Sequence, residues 1–167
     1  IIPMACLVAI ALTAPGWSGS PGSSAPSWVA LAAPIAGDGV ESLEVSTSLV
    51  INEVDYDQPS TDNAEFVEIK NVSAMTITLN NYDLTLRNGG SGGAQYQRFT
   101  LNNVSLPAGG YYVLCGDGAN VANCDQDVTP NTDLIQNGAP DAVAIVNTGT
   151  DTIVDTVSYE GDTAGWT

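Results

Sequence analysis

The sequence has 167 residues, with 3 Lys and Arg against 19 Asp and Glu, no His, and a formal net charge of -16. Without histidine, the chain cannot build a Ser-His-Asp triad or an imidazole-ligated zinc site. Three cations cannot neutralise a phosphate backbone, and the net charge opposes anionic surfaces. The composition therefore predicts no direct contact with nucleic acid, and none with a membrane apart from the leader described next.

Residues 1–36 are predicted to form a leader that directs export. The run from Ile1 to Ala14 is uncharged and almost wholly apolar. It fits the core of a secretory signal, which spans about 7–15 residues, whereas a membrane span needs about 20. We expect the start of this signal to be truncated, and a truncated membrane anchor is the alternative. The chain from residue 15 to residue 46 is rich in Gly, Ser, Pro and Ala, which predicts the tail of the leader and then a linker over residues 37–46.

Residues 47–167 are predicted to form the folded domain, built from short strands. Segments rich in β-branched and aromatic residues alternate here with turn residues, and no apolar stripe of helical spacing runs for three turns. In the second segment Val67 and Ile69 share one face, while Phe66 and Glu68 share the other. The predicted strands span residues 49–56, 65–70, 76–79, 82–87, 97–101, 111–115, 142–146 and 152–159.

The spacing of these strands predicts an all-β fold. Short strands separated by regular turn signals are typical of an immunoglobulin-like β-sandwich. An antiparallel barrel is the structural alternative. No internal repeat of fixed period is visible in the sequence, which argues against a solenoid or a propeller. The predicted architecture is therefore a β-sandwich preceded by an apolar leader and a flexible linker.

An ordered series of motifs points to the same fold class. The series is LVINEV at 49–54, AEFVEIKN at 64–71, LNNYDL at 79–84, FTL at 99–101, LPAGGYYVL at 106–114 and IVDTVSY at 153–159. Together these motifs resemble a bacterial lamin tail domain, from residue 48 to the end of the sequence. The resemblance implies an immunoglobulin-like sandwich without catalytic activity, found in secreted or surface proteins beside nucleases, phosphatases or adhesive repeats. Because the sequence ends at Thr167, we expect the domain to lack its last short strand or closing loop.

Two of the three cysteines are placed to form a disulfide. Cys115 and Cys124 are nine positions apart and flank a loop rich in Gly and Asn. A loop this short can bring its ends within disulfide range, and an exported chain folds in an oxidising compartment. The spacing is not the C-x-x-C of redox-active pairs. We therefore predict a structural disulfide between Cys115 and Cys124.

Two groups of acidic residues are candidate calcium ligands, since calcium takes about 6–8 oxygen atoms from carboxylates, carbonyls and water. The first group follows the first predicted strand into the second and consists of Glu53, Asp55, Asp57, Asp62 and Glu65. The second group surrounds the predicted disulfide and consists of Asp117, Asp125 and Asp127. Neither group has the spacing of an EF-hand loop. The alternative for both is a set of solvated turn residues, since Asp favours turns.

The leading hypothesis is a non-catalytic extracellular interaction or spacer module of lamin tail type within a larger secreted or surface protein. One alternative is the N-terminal accessory domain of a secreted nuclease or phosphatase whose catalytic domain follows residue 167. A second alternative is a calcium-stiffened adhesin segment, and calcium is the only cofactor that the sequence suggests. The expected partners are neighbouring domains of the same polypeptide or other surface proteins. The expected location is secreted or at the cell surface.

Overall fold

The computed structural model describes residues 46–166, so the predicted leader and all of the predicted linker except Ser46 lie outside the described residues. The described residues form ten strands and two short 3-10 turns, Leu79–Asn81 and Gly89–Ser91. The strands are β1 Leu49–Asp55, β2 Phe66–Asn71, β3 Ile77–Thr78, β4 Tyr82–Asn88, β5 Ala94–Thr100, β6 Ser105–Leu106, β7 Tyr111–Cys115, β8 Gln126–Asp127, β9 Asp141–Asn147 and β10 Thr152–Tyr159. Within residues 46–166 there is no helix with the length and apolar character that a membrane crossing requires.

Eight of the ten described strands form two four-stranded sheets that pack against each other. The first sheet has the order β1-β2-β7-β8 and is antiparallel except for the β7–β8 pair. The second sheet has the order β10-β9-β4-β5 and is antiparallel throughout. The two-residue strands β3 and β6 form a small separate pair. This arrangement confirms the predicted immunoglobulin-like β-sandwich.

The core lies between the two sheets and follows the alternation of the strands. In β2, Val67 and Ile69 are fully buried, while Phe66 and Glu68 are partly buried on the opposite face. The core residues of the second sheet include Leu84 and Leu86 of β4 and Val143 and Ile145 of β9. Full burial of one such side chain stabilises the fold by about 1.5–3 kcal/mol, so these inner positions provide most of the driving force for packing the sheets together.

Polar side chains link the two sheets along both open sides of the sandwich. On one side, the carboxylate of Asp155 in β10 accepts a hydrogen bond from the backbone N–H of Ile51 in β1 at 2.7 Å. On the other side, Gln126 of β8 accepts a hydrogen bond from the Tyr112 hydroxyl at 2.7 Å and donates to the Thr100 carbonyl at 3.0 Å. A charged or amide group pointing inward at an edge also leaves less backbone free to pair with another strand.

The last described residues pack on the outer face of the second sheet. The guanidinium carbon of Arg87 in β4 lies 3.9 Å from the centroid of the Trp166 ring. The Thr156 hydroxyl of β10 donates to the Trp166 carbonyl at 2.8 Å. Gly93 lies beneath the ring, where an added Cβ would come within 2.7 Å of the indole nitrogen. Trp166 is therefore part of the packing of the sandwich.

Most strand ends agree with the predicted ones to within one residue, and the larger differences lie in β3, β5, β6 and β8. β5 begins at Ala94, three residues before the predicted start, because it continues its pairing with β4 towards the glycine-rich turn. The third predicted strand is shortened to Ile77–Thr78, since Leu79 begins a 3-10 turn. β6 and β8 were not predicted, because a strand of two residues is too short to show any alternation.

Candidate functional site

A groove of about 830 Å³ lies on the outer face of the first sheet. Its walls come from β1, β2 and β7, and from the loop that ends at Asp125. We call it the acidic groove, after four carboxylates on its rim. These carboxylates belong to Glu53 and Asp55 of β1, Glu68 of β2, and Asp125.

The floor of the acidic groove is apolar, because alternate residues of β2 and β7 point away from the core. Phe66 of β2 and Val113 of β7 lie on this floor. They pack with Val121, Cys115 and Cys124 in a second apolar cluster, separate from the main core. Val113 and Val121 are buried, whereas Phe66 is partly exposed towards the groove. The groove thus offers apolar contact at its base.

A disulfide holds the loop that forms one wall of the groove. Cys115 and Cys124 are bonded, with their Cα atoms 5.8 Å apart, which confirms the predicted pairing. Within the loop, the backbone carbonyl of Asp117 accepts hydrogen bonds from the N–H groups of Asn120 and Val121, both at 3.0 Å. The turn and the disulfide together bring Val121 back onto the sheet, so the position of this wall is set by covalent and hydrogen-bond constraints.

The rim carboxylates are oriented by neighbouring donors. In the β1–β2 register, Glu53 stands directly opposite Glu68. The Glu68 carboxylate accepts a hydrogen bond from the Asn52 side-chain amide at 2.7 Å. The Asp125 carboxylate accepts one from the backbone N–H of Val113 at 2.9 Å. These bonds fix two of the four acids at opposite sides of the floor.

None of the basic residues forms a salt bridge with this rim in the described part of the chain. The described residues contain one salt bridge, between Arg98 and Asp83 on the second sheet. Arg87 stacks on a tryptophan ring, also on the second sheet. The ammonium of Lys70 lies over the ring of Tyr111, 4.9 Å from its centroid, and Tyr111 itself lines the groove. Since these are the three Lys and Arg of the sequence, the four rim carboxylates have no salt-bridge partner in the described part of the chain.

The structure brings together only some of the predicted calcium ligands. Glu53, Asp55 and Asp125, which come from both sequence groups, line the acidic groove, whereas the candidates Asp57, Asp62, Asp117 and Asp127 do not. Between Ser46 and Trp166, no group of three or more acidic or cysteine side chains is arranged to hold a metal ion. Glu68 was not among the candidates, although the alternation of β2 places it on the same face as Phe66.

Several of the remaining candidates are used by local hydrogen bonds. The Asp62 carboxylate accepts the backbone N–H of Gln58 at 2.9 Å and the side-chain amide of Asn137 at 3.1 Å. The Asp117 carboxylate accepts the side-chain amide of Asn120 at 2.7 Å. These are the bonds expected of turn residues, which was the alternative interpretation of both acidic groups.

Glu65, which the sequence placed in the first acidic group, is a buried structural residue. Only 1% of its surface is exposed. Its two carboxylate oxygens accept the backbone N–H groups of Leu134 at 2.6 Å and Ile135 at 3.1 Å. Burial raises its pKa to about 7, although these two hydrogen bonds act in the opposite direction. Glu65 therefore anchors the segment before β9 to the start of β2.

The raised pKa of Glu65 predicts that stability falls as the pH rises from 4.5 to about 7. In this interval the folded state keeps a proton that the unfolded state, with the ordinary pKa of 4.5, has released. The stabilisation that the Glu65 proton provides is complete below pH 4.5. It is lost as the pH rises through 7, which lowers the free energy of unfolding by up to about 3 kcal/mol. Urea unfolding at about pH 5 and about pH 8 measures the difference. Glu65→Gln, which cannot ionise, is the control, and an equal pH dependence in both proteins would contradict this role.

Two further carboxyl groups have the same structural role. Burial raises the pKa of Asp141, whose carboxylate accepts the backbone N–H of Gly89 at 3.0 Å. Burial also raises the pKa of Asp155, which accepts the backbone N–H of Ile51 on the open side of the sandwich. Every carboxyl group whose pKa is raised among the described residues thus holds a backbone amide in place.

These features define an acidic immunoglobulin-like β-sandwich with a disulfide-walled groove on one outer face. The family model described as Lamin Tail Domain matches residues 44–161, and the chain belongs to this family. No curated protein matches the sequence.

Among solved structures, the chain is similar to Bacteroides uniformis beta-glucuronidase 2, covalently bound to cyclophellitol-6-carboxylate aziridine. The two share 15% identity with a TM-score of 0.35, over 68% of this chain and 14% of that chain. This chain therefore spans a small part of the length of that enzyme.

Proposed function

We propose that this domain is a non-catalytic interaction or spacer module of an exported protein. The observation that carries the proposal is the role of its shifted carboxyl groups. Glu65, Asp141 and Asp155 are the acids whose surroundings raise the pKa, as a general acid or base requires. Each of them accepts a backbone hydrogen bond, and of the three only Asp141 also lines a pocket, one of about 500 Å³ beside the segment before β9. The groups best suited to proton transfer are therefore built into the scaffold.

The export of the protein is supported by two features. A disulfide between Cys115 and Cys124 is stable in an oxidising compartment and is rare where glutathione keeps thiols reduced. The apolar run at the start of the sequence has the length and the lack of charge of a secretory signal core. We accordingly propose that the module is secreted or lies at the cell surface, with neighbouring domains or other surface proteins as its partners.

The proposal predicts that the full 167-residue chain releases no product from a nucleic acid, a phosphomonoester or an oligosaccharide. Each substrate is assayed with and without added calcium, since four carboxylates line the same groove. The variant Glu53→Gln/Glu68→Gln is assayed beside the wild type to separate contaminants from true turnover. Activity present in the wild type and lost in this variant would overturn the proposal.

A further inference from the structure

We propose that the acidic groove is the docking site for an extended, lysine- and arginine-bearing segment of a partner protein. The inference rests on the proposed interaction function and names the surface and the chemistry of the partner. It follows from the charge of the rim, the apolar floor and the constraint on the walls.

The rim places two like charges opposite each other on neighbouring strands. Glu53 and Glu68 face each other across antiparallel strands, where side chains of directly opposite residues are in contact range. Like charges in this position are destabilising, and opposite charges are stabilising. No Lys or Arg of the described chain forms a salt bridge with them. A basic side chain entering the groove removes this repulsion and gains charge-assisted hydrogen bonds.

The floor suits the stems of basic side chains. Lys and Arg carry long apolar stems that cover hydrophobic surface while the charged head stays in a polar environment. In the acidic groove, Phe66 and Val113 lie at the base, and Asp55, Glu68 and Asp125 surround them. A volume of about 830 Å³ accommodates several side chains, within the range of about 300–1,000 Å³ that is usual for ligand sites.

Other occupants fit this surface less well. A bound calcium ion needs several carboxylates converging on one point, and no such group of three exists among residues 46–166. A second copy of the chain, a nucleic acid and an anionic lipid surface all carry negative charge, as does this chain, whose net charge is -16. A basic polypeptide segment is the occupant that matches both the separated carboxylates and the apolar floor.

The groove is held in shape before any partner binds. The disulfide and the Asp117 turn hold the wall, and Asn52 and the backbone of Val113 orient two of the rim carboxylates. Preorganised groups lose little freedom on binding, which favours affinity from a small contact area. Charge complementarity also accelerates encounter and makes binding weaker as the salt concentration rises.

The test uses the full chain and a fluorescent peptide in which Lys or Arg alternates with Val, beside a second peptide with Glu at each basic position. Fluorescence anisotropy at low and at physiological salt measures binding. We expect the basic peptide to bind and the acidic one not to bind. In Glu53→Gln/Glu68→Gln, which keeps the side-chain shapes, the dissociation constant should rise about tenfold and its salt dependence should weaken.

The matched control is Asp151→Asn/Asp162→Asn, which removes the same number of charges from exposed positions that do not line the groove. Its dissociation constant should stay within about twofold of the wild type. Equal weakening in both variants would show diffuse charge attraction and overturn the proposal. So would the absence of binding, or displacement of the peptide by an equivalent of calcium. These results leave the interaction module standing, because only turnover of a substrate overturns that proposal.

Discussion

Replacing Glu65 with alanine is expected to destabilise the domain by about 3–5 kcal/mol near pH 5, the largest effect of any single substitution considered. The carboxyl group is buried and accepts two backbone N–H groups, those of Leu134 and Ile135. Alanine leaves both donors without a partner and opens a cavity at the start of β2. Each unsatisfied buried donor costs about 1–3 kcal/mol, and the cavity adds to that. Urea unfolding measured by circular dichroism gives the change in free energy.

The matched control for this substitution is Glu65→Gln, which keeps the shape of the side chain and one of its two acceptors. We expect it to lose much less stability than the alanine variant, since near pH 5 the protonated carboxyl also has one carbonyl oxygen and the amide fills the same space. If Glu65→Ala lies within about 1 kcal/mol of the wild type, the two hydrogen bonds do not anchor the segment. Leu134 and Ile135, each 1% exposed, would then be held by packing alone.

Much of the fold could be predicted because the strands carry their own pattern. In β2, the inward Val67 and Ile69 and the outward Phe66 and Glu68 were separated by alternation alone, and the structure agrees. The ends of the strands and the shortest elements could not be predicted in this way. β8 consists of Gln126 and Asp127, and it exists because these residues pair with Leu114 and Cys115 of β7, which is a tertiary contact.

The sequence predicts only part of the acidic groove. The shared face of Glu53 and Asp55 follows from the period of a strand. Their proximity to Asp125 depends on the register of three strands and on a disulfide that turns the chain back. The burial of Glu65 depends on a contact with a backbone 69 residues away. No local pattern reports contacts of this range, so the sequence groups Glu65 with acids that are all more exposed than it is.

Removing the Cys115–Cys124 disulfide is expected to cost about 2–3 kcal/mol, because the cross-link limits the unfolded chain more than the folded one. The residues are nine positions apart, and a loop of this size gives a value in that range in the chain-entropy model. The double variant Cys115→Ala/Cys124→Ala, followed by urea unfolding, measures the loss. Reduction of the wild type with a phosphine is the matched control, since it breaks the bond and keeps both sulfur atoms.

Comparison of the two measurements separates the cross-link from the packing of the sulfur atoms. Cys115 is fully buried against Val113 and Val121, so the double variant should lose about 1 kcal/mol more than reduction does. A loss below about 0.5 kcal/mol on reduction would contradict the stabilising role of the bond.

Both treatments also free the wall of the acidic groove while leaving Glu53 and Glu68 in place on their strands. Peptide binding should therefore weaken on reduction even where the sandwich remains folded, because the groove then has to be ordered by the partner.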